Sequence, residues 1–357
     1  MKKTTIIVLA LIIGVLGYIE FTRQTPSTVQ LAQQNTAASS TKALMYPAAV
    51  ELQGIAGYIN TDGKNISLQE HIGKEVILLD IWTYSCINCQ RTFPYVKMWH
   101  EKYHDQGLLI IGVHTPEFEF EKDYNNVLAA VQKFGIQYPV VLDNDYKTWR
   151  AYNNQYWPRK YLIDIDGFVV YDHIGEGGYE DTALEIQKLL QERSRVLGLN
   201  ETMNATISMP EAADLRGIGS PEVYFGAARN QYLATGAGIV GAHTFRAEQP
   251  RINQLQLDGV WDVQPEFAAS QSNVSILFRY RSKNVYFVAS AEPATRVSVL
   301  VDGMPVGQRA GADVRSDGTV LIAEPRLYNV IADSESSEHT LELRTSAGLK
   351  AFTFTFG

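Results

Sequence analysis

The sequence predicts an α/β domain with a mixed sheet covered by helices on both faces, followed by an all-β sandwich or jelly-roll domain. Three observations carry this. Apolar strand-like runs alternate with amphipathic helical stretches through residues 46–198. The helical period then fades near Asn200, and short alternating runs take over to the C-terminus. Turn dipeptides such as Asp258-Gly259, Asp302-Gly303 and Asp317-Gly318 separate those later runs.

Taken in chain order, Lys2 and Lys3 precede an uncharged apolar run from Thr4 to Ile19, and Glu20 and Arg23 follow it. Such a run suits a membrane anchor over residues 1–23 better than a cleaved signal, because no small-residue cleavage site follows it. The leading charges place the N-terminus inside and the rest in the periplasm or outside the cell. Residues 24–45, rich in Gln, Thr, Ser and Ala, read as a flexible tether. Short strand pieces follow around Gly54, Gly57 and Asp62-Gly63. Val76–Trp82 (VILLDIW) is then a buried strand, Cys86–His104 a helix and Gly107–His114 a second buried strand. Asp123–Phe134 is an amphipathic helix, Tyr138–Leu142 a third strand, and Lys147–Tyr152 a short helix. Lys160–Asp164 and Phe168–His173 form a hairpin around Asp166-Gly167, and Tyr179–Leu197 is a closing helix. The β domain, 199–357, includes strand runs at Ile276–Tyr280, Val285–Ala289, Val297–Val301, Thr319–Ala323 and Ala351–Phe356.

With 357 residues, 45% hydrophobic and 20% charged, the chain is globular and long enough for two cores. A net charge of −8 argues against nucleic acid or anionic lipid as the main partner, since both demand a basic footprint.

The 2 cysteines, Cys86 and Cys89, form a CxxC pair. A loop that short constrains an unfolded chain too little to act as a staple, so reactivity explains the pair better. The pair stands after a buried strand, at the first turn of a helix. Unpaired N–H groups and the partial positive charge of the helix start favour a thiolate at Cys86. That thiolate attacks a substrate disulfide, and Cys89, one turn on, resolves the mixed disulfide. No resident cofactor is needed beyond the redox-active Cys86–Cys89 disulfide. Asp80, inside VILLDIW, is surrounded by apolar residues, and burial fits it for proton transfer near neutrality. Structural zinc lacks a second ligand pair, because His100 and His104 lie too far along the same helix. A peroxidase site requires a proline where Leu79 stands.

The segment LLDIWTYSCINCQRTFPYVKMW (Leu78–Trp99) resembles the thioredoxin superfamily, and within it the exported TlpA/ResA-like group. The resemblance implies that Asp80 relays a proton to the resolving cysteine and that Pro94 kinks the active-site helix. It also implies that Trp157-Pro158 is a cis bond facing the cysteines, with Trp157, Pro158 and Trp82 at the substrate site. Glu117, in GVHTPEFEF, matches a carboxylate held beneath the active site. Strongly oxidising members place a His between the cysteines; Ile87 and Asn88 stand here, which favours a reducing or isomerising role.

Residues 46–357 are similar to the soluble region of DipZ-type thiol:disulfide interchange proteins. The similarity extends through SPEVYFGAARNQYL (Ser220–Leu233) and HTLELRTSAGLKAFTFTFG (His339–Gly357). It implies disulfide-containing exported proteins as substrates and a separate CcdA-like membrane electron donor. It also implies a β domain resembling carbohydrate-binding modules.

Two other readings stand beside this one. One is a surface glycan- or protein-binding protein using Trp261, Tyr224, Phe225, Tyr232, Tyr280 and Tyr328 as a stacking platform. In that domain Asp302, Asp313 and Asp317 are candidate calcium ligands. The other is a copper metallochaperone using Cys86, Cys89 and a loop histidine such as His114.

Overall fold

The computed structural model describes residues 37–199 and 209–357, so the expected anchor and the first part of the tether lie outside the described residues. Among the described residues no helix is long and apolar enough to cross a membrane. The end of the expected tether departs from the prediction, since Ala37–Met45 is a helix. Its alanines favour that state. Lys42 pins it to the folded body, its Nζ donating to Asp164 (2.6 Å), Asp166 (2.8 Å) and Glu192 (2.6 Å).

The first domain is a mixed sheet of six strands, β1 (Gly57–Ile59), β2 (Val76–Trp82), β3 (Leu108–His114), β4 (Val140–Leu142), β5 (Arg159–Ile163) and β6 (Val169–Ile174). Their spatial order is β1-β4-β3-β2-β5-β6. The central strands β2, β3 and β4 run parallel, and β1, β5 and β6 pair antiparallel at the flanks. Every residue of β2 is buried, as a strand covered on both faces requires.

Alternation along β2 then decides which side chain meets which layer. Ile77, Leu79 and Ile81 face a cluster with Leu68, Tyr161 and the ring of Trp149. Val76, Leu78 and Trp82 face the long helix Ile87–Tyr103 through Phe93, Val96 and Trp99, joined by Ile186 and Leu190 of the helix Tyr179–Leu197. Asp80 has the same parity as this second set, so it points toward the layer that holds the cysteines.

The β domain comprises β7 (Val223–Tyr224), β8 (Gly241–Phe245), β9 (Leu255–Val263), β10 (Ala268–Ser270), β11 (Val274–Ala291), β12 (Thr295–Val301), β13 (Met304–Pro305), β14 (Thr319–Ile322), β15 (Arg326–Thr345) and β16 (Leu349–Phe356). All belong to one hydrogen-bonded sheet, which closes on itself where β11 pairs with β9 as well as with β16. The runs 276–280 and 285–289 are therefore one continuous strand. Register shifts at Ser282/Asn284 and Val285/Tyr286 bend it from one side of the domain to the other.

The domain's core removes four of the six aromatics from the stacking-platform reading, leaving Tyr224 and Tyr232 half-buried. Trp261, Phe225, Tyr280 and Tyr328 are fully buried among aliphatic residues, with Tyr232 packed at the edge. The acids read as calcium ligands are dispersed into separate pairs: Asp302 with His339, Asp313 with Arg326 and Asp317 with Arg296.

Gly112 lies opposite Asp80 in the β2–β3 register. A Cβ there would meet Trp82 Nε1 at 2.8 Å, Tyr138 at 3.1 Å and Val140 at 3.3 Å. We expect Gly112→Ala to lower the unfolding free energy by about 1–3 kcal/mol through overpacking. Urea unfolding at pH 7 checks this, and an unchanged midpoint contradicts it.

Candidate functional site

β2 ends at Trp82, and the chain turns through Thr83–Ser85 into the helix Ile87–Tyr103. Cys86 caps that helix in an extended conformation, with φ −80 and ψ 117, and its Sγ accepts the Cys89 N–H at 3.2 Å. An N-cap acceptor is normally an oxygen; here a sulfur fills the position and lies at the positive end of the peptide dipoles. Cys86 is half-buried and Cys89 fully buried. Both are free thiols, with Cys89 Sγ 2.7 Å from Cys86 Sγ. Burial first, and then the adjacent Cys86, push the Cys89 thiol well above its ordinary value.

Beneath the pair lies a group of buried polar side chains. Asp80 is fully buried, and neither carboxylate oxygen has a hydrogen-bond partner among the described residues. Burial pushes its carboxyl up to about 6, while Lys160 pulls the other way. Lys160 is the direct cross-strand neighbour of Asp80 on β5, equally buried, with its Nζ likewise unpartnered. Burial drives the Lys160 ammonium down, opposed by the charges of Asp80 and Cys89. Tyr138 completes the group, its buried phenol raised by burial and by Asp80 and Cys89. These charges act on one another and on the Cys89 sulfur with little water to screen them.

Glu117 lines the same cleft as Cys86. Its carboxylate turns outward to the β domain, where it accepts from Arg229 Nη1 (2.7 Å) and the Tyr224 hydroxyl (2.8 Å). The acid that supports the active-site turn is Glu121, fully buried, accepting from Ser85 Oγ (2.7 Å), Ser85 N (3.2 Å) and Phe118 N (3.0 Å). Burial, with the Glu117 charge adding to it, raises the Glu121 carboxyl to about 6.

Trp82 also departs from expectation. It is completely buried and packs edge-on to Phe93 (5.1 Å) and His114 (4.9 Å), so no substrate reaches it. Trp157 does reach the surface beside Cys86. Its Nε1 donates to Thr115 O at 3.0 Å, its ring lies against Trp149, and the Trp157–Pro158 bond is cis. Pro158 itself is buried.

His114 is fully buried, pushed down to about 3 by that burial, and 3.4 Å from the Thr83 hydroxyl. It does not converge with Cys86 and Cys89. Among the described residues the one convergent ligand cluster is Asp164, Asp166 and Glu192, which holds the Lys42 ammonium. The described residues therefore do not bring His114 together with Cys86 and Cys89 as the copper-carrier reading expects.

The β domain docks directly on the active-site turn. Ile87, between the two cysteines, packs with Phe118 and with Val288, Leu327 and Phe352 of the β domain. Nearby, the Tyr84 hydroxyl donates to Pro325 O at 3.1 Å. Arg91 reaches back over Asn88 (2.7 Å) and forms a two-pronged pair with Glu176 at 2.8 Å on each prong.

Comparison with known proteins agrees with these two units. Residues 40–187 match the redoxin family, and residues 220–357 match the thioredoxin-like C-terminal domain family. The chain is 38% identical over 313 residues to protein DipZ of Mycobacterium bovis, covering 87% of this chain and 43% of that protein. The same figures hold for protein DipZ of Mycobacterium tuberculosis. It is 31% identical over 128 residues to the thiol-disulfide oxidoreductase ResA of Bacillus thuringiensis, covering 36% of this chain and 70% of that one. The chain thus spans less than half the length of the DipZ proteins it matches.

The raised Asp80 carboxyl has a consequence for stability. Its folded value, about 6, exceeds the unfolded value of 3.8, so the native state holds this proton more tightly. That contribution is fully present below pH about 4 and is lost as pH rises through about 6. Asp80→Asn, which cannot ionise, should therefore be more stable than the parent by about 3 kcal/mol at pH 8, with almost no gain at pH 4. Chemical denaturation at the two pH values measures the difference. An equal effect at both would contradict the assignment.

Proposed function

Because the chain carries a thioredoxin-superfamily redoxin domain closely related to the DipZ-type thiol:disulfide interchange proteins, we propose that it exchanges thiols for disulfides through Cys86 and Cys89. The observation that carries this reading is the pairing of a half-buried sulfur at a helix N-cap with a buried sulfur one turn on.

In the reducing direction the Cys86 thiolate attacks one sulfur of a substrate disulfide. The substrate S–S bond breaks, a mixed disulfide forms, and the first substrate sulfur leaves as a thiolate that takes up a proton. Cys89 is then deprotonated and attacks Cys86 Sγ, releasing the second substrate sulfur and leaving the Cys86–Cys89 disulfide. Two electrons have passed to the substrate. Asp80 suits the second step. Its value near 6 leaves it mostly ionised at neutral pH, yet basic enough to take the Cys89 proton. Lys160, directly across the strand, keeps that carboxylate from rising further. The backbone at Trp157–Pro158 borders the same opening and is suited to order the substrate chain. Glu117, held by Arg229 and Tyr224, shapes that opening and takes no proton in this scheme.

The reducing direction is favoured by Ile87 and Asn88 between the cysteines. Neither carries the positive charge that would stabilise the reduced form and make the couple a strong oxidant. Relatedness to the DipZ proteins supports a membrane-associated setting outside the cytoplasm, disulfide-containing exported proteins as substrates, and a CcdA-like membrane protein as electron source.

The test is reduction of insulin disulfides by the pre-reduced protein. Cys86→Ser should lose activity by on the order of a thousandfold. Cys89→Ser should still attack but accumulate a dithiothreitol-sensitive adduct with the substrate, visible by intact mass. Undiminished turnover by Cys86→Ser would sink the proposal.

A further inference from the structure

The docking of the β domain leaves the redox site open on one side. A cleft of about 480 Å³ runs along the domain seam, with Cys86 and Trp157 on one wall and Ile218, Glu222, Tyr224 and Phe356 on the other. Its size suits a short extended segment and excludes a folded domain. Tyr156 at its mouth is 48% exposed and Ile218 36% exposed, so apolar surface flanks the sulfur on both sides.

The charges in this cleft are nearly all matched. Glu117 is paired with Arg229 at 2.7 Å, and Glu176 with Arg91 at 2.8 Å. Glu222 is the exception: among the described residues no basic side chain pairs with it, and its one hydrogen bond comes from the Tyr224 hydroxyl at 2.7 Å. That same hydroxyl lies 2.8 Å from Glu117. A phenol has a single proton and can donate to only one of the two carboxylates at a time. When both acids are ionised, the second therefore faces an oxygen lone pair, and the wall carries an excess of negative charge beside Tyr224. Arg229 offsets it only in part and through space, because its guanidinium lies over the Tyr224 ring, 3.8 Å from the centroid, and is paired directly with Glu117.

We propose that the β domain forms the second wall of the substrate groove, and that Glu222 selects disulfides whose cysteine is flanked by lysine or arginine. An incoming ammonium or guanidinium supplies the missing counter-charge while the neighbouring cystine lies against Cys86. The occupant is thus an extended cationic peptide segment, threaded between Trp157 and the start of β7. This selection rests on the thiol–disulfide reading above. It makes the β domain a specificity element for the redox site in addition to any ligand of its own.

The test compares two otherwise identical disulfide peptides, one with Lys and one with Glu beside the cysteine, against full-length protein. The assay is run at pH 8, where Glu222, pushed up to about 7 by desolvation in the cleft wall and by the Glu117 charge, is ionised. The parent should favour the Lys peptide in kcat/KM by about tenfold, combining attraction gained with repulsion avoided. Glu222→Gln should reduce that ratio to near unity, Glu222→Lys should invert it, and 0.5 M salt should erode it in the parent. Hydroxyethyl disulfide, which has no charge, serves as the reference substrate. A parent protein that reduces hydroxyethyl disulfide but treats the two peptides alike overturns the selection and leaves the redox assignment standing. One inert toward all three disulfides overturns both.

Discussion

Two sulfurs one helical turn apart, at the point where a buried strand hands over to a helix, cannot share one environment. The first occupies the cap, where free N–H groups point at it; the second turns inward and loses water. Cys86 accepts the Cys89 N–H, and Cys89 is sealed against the sheet. In the proposed exchange, this inequality separates attack from resolution. It requires β2 to be buried on both faces, since only a covered central strand delivers the chain to the helix in that position. The same constraint places Asp80 on the cysteine side of β2, with Lys160 opposite it and Gly112 leaving room beside it. Burying an acid and a base without hydrogen-bond partners is unfavourable for the fold. Here it leaves an acid raised to about 6 by burial, whose charge acts on the Cys89 thiol.

The second domain acts on this arrangement from outside. By burying Ile87 it fixes the residue between the cysteines, and with Tyr224 and Arg229 it holds the Glu117 carboxylate in the wall of the cleft that Cys86 also lines. The domain also narrows the approach to Cys86 from an open face to a cleft. A redox centre that is generic in its chemistry thereby gains walls of distinct charge, and charge is a cheap way to discriminate among unfolded segments.

Much of this was legible in the residues alone, for physical reasons that differ from element to element. The run VILLDIW allows no exposed face, so both its burial and the burial of Asp80 followed from the pattern. The CxxC spacing after that run located the helix start to within a residue. Long-range pairings were out of reach. Lys160 meets Asp80 only through the antiparallel register of β2 and β5, although a lysine on the same parity as Leu162 was a visible anomaly. Glu121 alternates with Phe118 and Phe120 in PEFEFEK, and nothing local separates it from Glu117; only the domain interface decides which acid turns in. The resemblance put Trp82 at the substrate site, yet the burial of its strand, which the pattern did show, keeps it under the helix. In the β domain, the runs 276–280 and 285–289 were read as separate strands, whereas β11 continues through both with register shifts. Lys42, in a stretch with the composition of a linker, gave no hint of the three acids that wait for it far along the chain.

The most direct measurement is the reduction potential of the Cys86–Cys89 couple, equilibrated against glutathione and thioredoxin-type redox buffers. A helix-capped thiolate with no further positive charge between the cysteines should give a single two-electron couple at about −270 mV. A value of about −120 mV, or two sulfurs that never close a reversible disulfide, would contradict a donor role for the pair.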